Sequence, residues 1–167
     1  MPTDRVRDTP RPPKSLKARA IALLARREYS RAELRDRLVA AGDGNTADST
    51  AVDTVLDELA ALGYLSDERF AKSVVRQKSG GYSKRAIGAT LKARGVGSDA
   101  AGDALAGADI DDQAALVALW TRRYGKPPAD DREKARQVRF LQSRGFSLSA
   151  IMKLLRAPPA ADDASER

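Results

Sequence analysis

The chain has 167 residues, 42% of them hydrophobic and 32% charged, with a net charge of +7 and a pI near 9.9, enough length for one domain or a short array of small units. It holds no cysteine and no histidine, which excludes disulfides, the usual structural zinc sites and His-centred catalytic triads. No apolar run approaches a membrane span and the first residues lack the apolar stretch of a secretory leader, so a cytosolic protein is expected, its basic balance favouring an acidic partner.

Residues 1–14 mix four prolines with charges and read as a disordered basic arm. A first helix is expected from about Ser15 to Glu28, with Leu16, Ala20, Leu23 and Leu24 on one face. Ser30 caps a second helix with Glu33 three residues on, a capping-box pattern, and Leu34, Leu38 and Ala41 form its stripe before Gly42 stops it. Residues 42–50 are polar and form a loop. Val52, Val55, Leu56, Leu59 and Leu62 give the third helix the clearest apolar stripe of the chain, Gly63 ends it, and Tyr64 and Leu65 are expected to plug the junction that follows.

Ser66 caps the fourth helix, whose Phe70, Ala71, Val74 and Val75 turn inward, and Gly80-Gly81 breaks it. Ser83 caps the fifth, with Ile87 and Leu91 inward and Gly95 at its end. The sixth, near Asp99–Ala106, carries Gly102 and is marginal. A seventh helix spans about Asp111 to Tyr124 with Leu116, Leu119 and Trp120 on its stripe, and an eighth about Asp130 to Arg144 with Ala135, Val138 and Leu141. Ser147 caps the ninth, with Leu148, Ile151, Leu154 and Leu155, before Pro158-Pro159 and a frayed tail.

Two independent regularities group these nine helices by threes. Tyr29-Ser30-Arg31 returns fifty-three residues later as Tyr82-Ser83-Lys84, with Leu34 meeting Ile87 and Leu38 meeting Leu91. Leu91, Arg94, Gly95 and Val96 return fifty residues later as Leu141, Arg144, Gly145 and Phe146. Charge alternates with them: basic blocks at 1–37, 69–94 and 122–156 are separated by acidic blocks at 38–68 and 95–121 that contain no Lys or Arg. Ala and Leu dominate the apolar residues, which favours helix over strand. The expected fold is all-α: three tandem three-helix, helix-turn-helix-like repeats in an elongated array, covering 15–65, 66–108 and 109–157, with a disordered tail at 158–167.

Catalytic patterns are weak. Gly95-Val96-Gly97-Ser98-Asp99-Ala100 fits a dinucleotide fingerprint only by letter, since a helix precedes it where a strand is required. Asp111-Asp112 and Asp130-Asp131 stand at helix starts, where carboxylates suit the dipole. Trp120 and Phe140 fall at core spacing; Tyr29 and Tyr82 are the aromatics best interleaved with cations, and each precedes an N-cap, where a hydrophobic staple accounts for it. No nucleophile–base pair is found and no enzyme is expected. The candidate binding residues are basic: Arg26, Arg27, Arg31 and Arg35 around the first inter-helix turn, Lys72, Arg76, Lys78, Lys84 and Arg85 around its equivalent in the second unit, and Arg69, Lys92 and Arg94 elsewhere in that unit. Arg122, Arg123 and Arg144 belong to the third. A regular stacking of units would line such turns into a periodic positive stripe. Asp53 and Asp57, in the acidic block, are expected to face solvent away from it.

The run Gly63-Tyr64-Leu65-Ser66-Asp67-Glu68-Arg69-Phe70-Ala71, followed by Arg76, the Gly81-Tyr82-Ser83 turn, Ile87, Leu91 and Gly95, resembles the central signature of the RecX family of bacterial recombination regulators. Arg144-Gly145-Phe146 with Ile151 is similar to the end of that family's third repeat, and Arg26-Arg27-Glu28-Tyr29-Ser30 with Glu33-Leu34 fits its first, so the resemblance covers about residues 15–156. It implies a monomer without cofactor that binds the RecA recombinase on single-stranded DNA, touching the strand directly or through RecA. It also implies suppression of RecA's ATP hydrolysis, filament growth and strand exchange. The 42–50 loop looks longer than the family's usual turn, and the Gly- and Ala-rich sixth helix suggests a loosely closed second unit. The rival reading is a sequence-independent DNA-binding repeat protein; a third is a structural adaptor between proteins.

Overall fold

The computed structural model describes residues 15–41 and 49–159. The expectations for the basic arm, for residues 42–48 of the 42–50 loop, and for the tail from residue 160 lie outside the described residues; Ser49 and Thr50, expected in that loop, begin a helix instead. Among those described there are nine helices and no strand: α1 (Leu16–Leu24), α2 (Arg31–Ala40), α3 (Ser49–Ala61), α4 (Asp67–Lys78), α5 (Lys84–Ala93), α6 (Ser98–Ala106), α7 (Asp112–Arg123), α8 (Asp131–Ser143) and α9 (Leu148–Arg156).

Their starts follow from local chemistry. The hydroxyls of Ser15, Ser30, Ser66, Ser83 and Ser147 each accept a hydrogen bond from the amide three residues on, as do the carboxylates of Asp111 and Asp130. The ends of α3, α5 and α8 share one device. Gly63, Gly95 and Gly145 adopt positive φ, and the next apolar residue but one, or the next, folds under the helix: Leu65, Val96 and Phe146 are buried, their amides bonded back to Leu59, Leu91 and Leu141.

Each trio of helices encloses its own core. Ala20, Tyr29, Leu34, Leu38, Val52, Leu56, Leu59 and Leu65 form the first. Phe70, Ala71, Val74, Val75, Ile87, Leu91, Val96 and Ala104 form the second. Ala115, Leu116, Leu119, Trp120, Leu141, Phe146, Ile151 and Leu154 form the third. Every extensive helix–helix contact lies within a trio.

Several details depart from the sequence pattern. α1 stops at Leu24, so Arg26 and Arg27 sit in a turn and Glu28-Tyr29 lie outside any helix. That path drops the Tyr29 ring into the core, 4% exposed, under the Arg27 guanidinium at 3.7 Å. Leu62 and Leu148 point outward, 60% and 51% exposed, because each lies beyond the arc its helix buries. The plug after α3 is Leu65 alone; Tyr64 is 55% exposed. Ala135 is exposed as well, and the eighth helix instead buries Gln137, whose side-chain oxygen accepts from Trp120 Nε1 at 2.9 Å. α6 is a regular nine-residue helix that packs closely on α4 and α5. Its small residues and Gly88 permit that approach: a Cβ at Gly88 would stand 3.3 Å from Leu105. The second unit is therefore closed, contrary to the loose unit expected.

The trios are joined by a repeated polar contact. Ser30, fully buried, caps α2 and also donates its hydroxyl to the carbonyl of Arg94 at 2.6 Å, while the Arg31 amide donates to Asp67 at 2.8 Å. At the second joint Ser83 donates its hydroxyl to the Gly145 carbonyl at 2.8 Å and its amide to the Arg144 carbonyl at 3.0 Å, and the Lys84 amide donates to Asp112 at 2.7 Å. The turn after the second helix of one unit thus presses on the N-terminus of the second helix of the unit before it. Gly95 touches Ala32, and Gly145 touches Ala86 and Ser83, so closely that neither position has space for a Cβ.

Candidate functional site

The joints decide where the basic side chains gather. At the first, α1's end, α4 and the end of α5 converge. The Arg27 and Arg94 guanidiniums share Glu33, at 3.3 and 3.5 Å, and Arg69 pairs with Glu28 at 3.0 Å while donating to the Tyr64 carbonyl at 3.1 Å. Glu33 therefore does not reach back to the Ser30 amide as a capping box requires; it holds two arginines from neighbouring units. Arg27, Arg76 and Arg94, with Glu28, Phe70 and Gln77, line a groove of about 380 Å³. Arg76 also borders a second, largely apolar groove of about 410 Å³ between α4 and α6, where Lys72 and Asp103 stand on the rim.

At the second joint the cations meet rings in place of carboxylates. Lys78 lies 4.0 Å and Arg144 4.6 Å from the centre of the Tyr82 ring. Arg144 is also 5.0 Å from the Phe140 ring and Arg123 5.1 Å from it, while Tyr124 meets Phe140 edge-on at 5.9 Å. Arg85 donates to the Gly145 carbonyl at 3.3 Å.

Two sequence candidates are neutralised where they stand. Arg31 pairs with Asp57 at 2.7 Å and Arg35 with Asp53 at 2.9 Å, since α2 packs against α3. Asp53 and Asp57 consequently do not face away from the basic residues, as their block had suggested; they cover two of them. The hydrogen bond from Arg35 holds the Asp53 carboxyl below its ordinary 3.8, and the same bond raises Arg35. Arg26, Lys72, Arg76, Lys84, Lys92 and Arg122 are exposed and, among the described residues, have no carboxylate within ion-pair distance.

Trp120 is core, 1% exposed. Phe140, Tyr82 and Tyr124 are half-buried and lie among cations. Tyr124 carried no expectation from sequence as a site residue; its place at the end of α7, one turn beyond the buried Trp120, is the feature that puts it beside Phe140. Among the described residues no helix is long and apolar enough to cross a membrane, and no group of three or more acidic residues is placed to hold a metal ion.

Family models describing the second and third three-helix domains of RecX match residues 66–105 and 110–155. The regulatory protein RecX of Ralstonia nicotianae is 42% identical over 158 residues, covering 94% of this chain and 97% of that protein. The chain belongs to the RecX family. RecX of Chromobacterium violaceum is 43% identical over 90% of this chain and 94% of its own length. The crystal structure of RecX from Lactobacillus salivarius superposes with a TM-score of 0.60, covering 84% of this chain and 92% of that one at 20% identity, a likeness of fold. The RecX relatives are named regulatory proteins. In the RecX signature run, Gly63 and Leu65 turn the chain under α3, Ser66 caps α4, Asp67 closes the first joint, Arg69 holds Glu28, and Phe70 and Ala71 enter the second core.

Proposed function

We propose that this protein binds the RecA–single-stranded DNA filament and suppresses its ATPase, its growth and its strand exchange. Membership of the RecX family supports a regulator, and the arrangement of charge supports a long acidic partner. The observation that carries the reading is that both joints collect basic side chains from adjoining units. Arg76 at the first and Lys84 at the second remain without carboxylate partners among the described residues. A tandem array that repeats such a joint presents cations at intervals, which suits a partner that itself repeats. The protein supplies binding alone in this account; the nucleotide hydrolysed belongs to RecA.

Co-sedimentation tests it. The protein is expected to pellet with RecA assembled on single-stranded DNA and to be released as salt rises, because exposed charges are screened and counterions return. Retention in the supernatant at low salt, with the filament intact, would exclude the filament as partner. The alternative of a sequence-independent DNA-binding repeat protein draws support from the ring–cation row of the second joint, and predicts equal binding with RecA omitted.

A further inference from the structure

The two joints share a hydrogen-bond pattern, and both set cations over rings, the first with Arg27 3.7 Å from the Tyr29 ring and Arg94 5.9 Å from that of Phe70; they differ in whether carboxylates pair those cations. At the first, Glu28 and Glu33 hold Arg69, Arg27 and Arg94. At the second, Lys78, Arg123 and Arg144 have no carboxylate within ion-pair distance among the described residues. Their company is aromatic: Tyr82 from the second unit, Tyr124 and Phe140 from the third, each partly buried with one side packed on its unit's core and part of its surface left to solvent. Arg144 lies between two of these rings, within 4.6 Å of Tyr82 and 5.0 Å of Phe140.

We propose that this row, Tyr82–Arg144–Phe140 with Lys78, Arg123 and Tyr124 beside it, is a stacking ledge that holds a single-stranded polynucleotide by its bases as well as its phosphates. The inference deepens the proposed function, since it rests on an anionic strand as partner and names the joint that touches it.

The chemistry favours a strand over an acidic protein surface. A carboxylate-bearing partner needs cations alone, and the first joint shows that this chain pairs cations with carboxylates where it can. Rings set between unpaired cations match a polymer that alternates flat apolar bases with phosphates. An exposed cation resting on a ring makes a weaker contact than a base stacked there. An arriving base therefore takes the ring face, and the displaced ammonium or guanidinium swings to the adjoining phosphate on its flexible stem. Arg144 need not leave, because its planar guanidinium is itself a surface on which a base stacks. A duplex, its bases already stacked on each other, cannot use the ledge in this way.

The test uses the full chain and no recombinase. Fluorescence anisotropy compares oligo(dT) and oligo(rU) with an abasic strand of the same length and phosphate count, at low salt. At least one base-bearing strand is expected to bind roughly tenfold more tightly than the abasic one, and which of them does so identifies the natural strand. Replacing Tyr82 and Phe140 together by leucine, with helicity checked by circular dichroism, should close that gap. Equal binding of abasic and base-bearing strands by the unmodified protein would overturn the ledge, without need of any variant, and would leave filament binding standing on charge alone. No measurable binding of any bare strand would likewise overturn it, and the filament reading would then rest on the separate co-sedimentation with RecA. A base-dependent gap that persists in the double variant would place stacking elsewhere and also sink the proposal.

Discussion

Leu59 and Leu62 stand three residues apart in one apolar stripe, yet one is fully buried and the other is 60% exposed. Leu59→Ala is expected to cost about 2–5 kcal/mol, the range for emptying a filled core site, while Leu62→Ala should stay within about 0.5 kcal/mol. Urea unfolding of both variants checks the pair; similar losses would mean that the face of α3 is misplaced. The stripe was legible in the sequence but its edge was not, because periodicity marks a helix's apolar side without saying how wide an arc the neighbouring helices cover. Ion pairing was hidden for a similar reason. Asp53 and Asp57 read as a solvated acidic block, and only the return of α3 along α2 brings them to Arg35 and Arg31. Asp53 has a carboxyl pKa lowered by the Arg35 hydrogen bond, so its contribution to stability is present above the ordinary value of 3.8 and is lost as pH falls through the lower folded value. Asp53→Asn should accordingly be less stable than the unmodified protein at neutral pH, by a small margin at so exposed a site. The margin should vanish below the ordinary carboxylate range. Thermal melts at neutral and acid pH test this, and a margin that widens on acidification would contradict the pairing.

At the level of helices and turns, seven of the helix starts and the glycine stops after α3, α5 and α8 could be read from Ser, Asp and Gly, because capping is a local exchange of hydrogen bonds. What local reading missed is that the same residues serve twice. Ser30 and Ser83 were legible as caps; that each hydroxyl also donates to a carbonyl in the next unit depends on chain fifty or more residues away. The recurrence of Tyr-Ser-basic was thus a trace of the joint, read as a trace of the helix. Gly95 and Gly145 likewise look like ordinary stops, but each touches the first turn of a neighbouring unit's helix. Gly145→Ala should destabilise by about 1–3 kcal/mol from its left-handed backbone alone, with further loss as Ala86 and Ser83 are pushed away. Gly102 offers the contrast. It lies inside α6 with open space beside it, so Gly102→Ala should stabilise by about 0.5–1 kcal/mol. Chemical denaturation of the two variants measures both signs, and a neutral Gly145→Ala would mean that the second joint is looser than its geometry shows.

Across the whole molecule, three separate cores are joined by narrow polar contacts. Family membership, the helical class and the repeat were legible, since they rest on order and spacing along the chain. The distribution of usable charge was not: of the fifteen basic residues that the sequence nominates, Arg31 and Arg35 are covered by acids, Arg27, Arg69 and Arg94 are shared with Glu28 and Glu33, and Lys78, Arg123 and Arg144 rest on rings. Lys72 and Arg76, exposed on one face of α4 and without carboxylate partners among the described residues, are the cleanest handles on the charge that remains. The most direct test of the account is therefore the DNA-dependent ATPase of RecA, titrated with this protein and with its Lys72→Glu, Arg76→Glu double variant. Substoichiometric protein is expected to lower the rate, less so as salt rises, and the double variant to require roughly tenfold more protein for the same inhibition at unchanged helicity. An ATPase rate unaffected by even an excess of the unmodified protein would contradict the account.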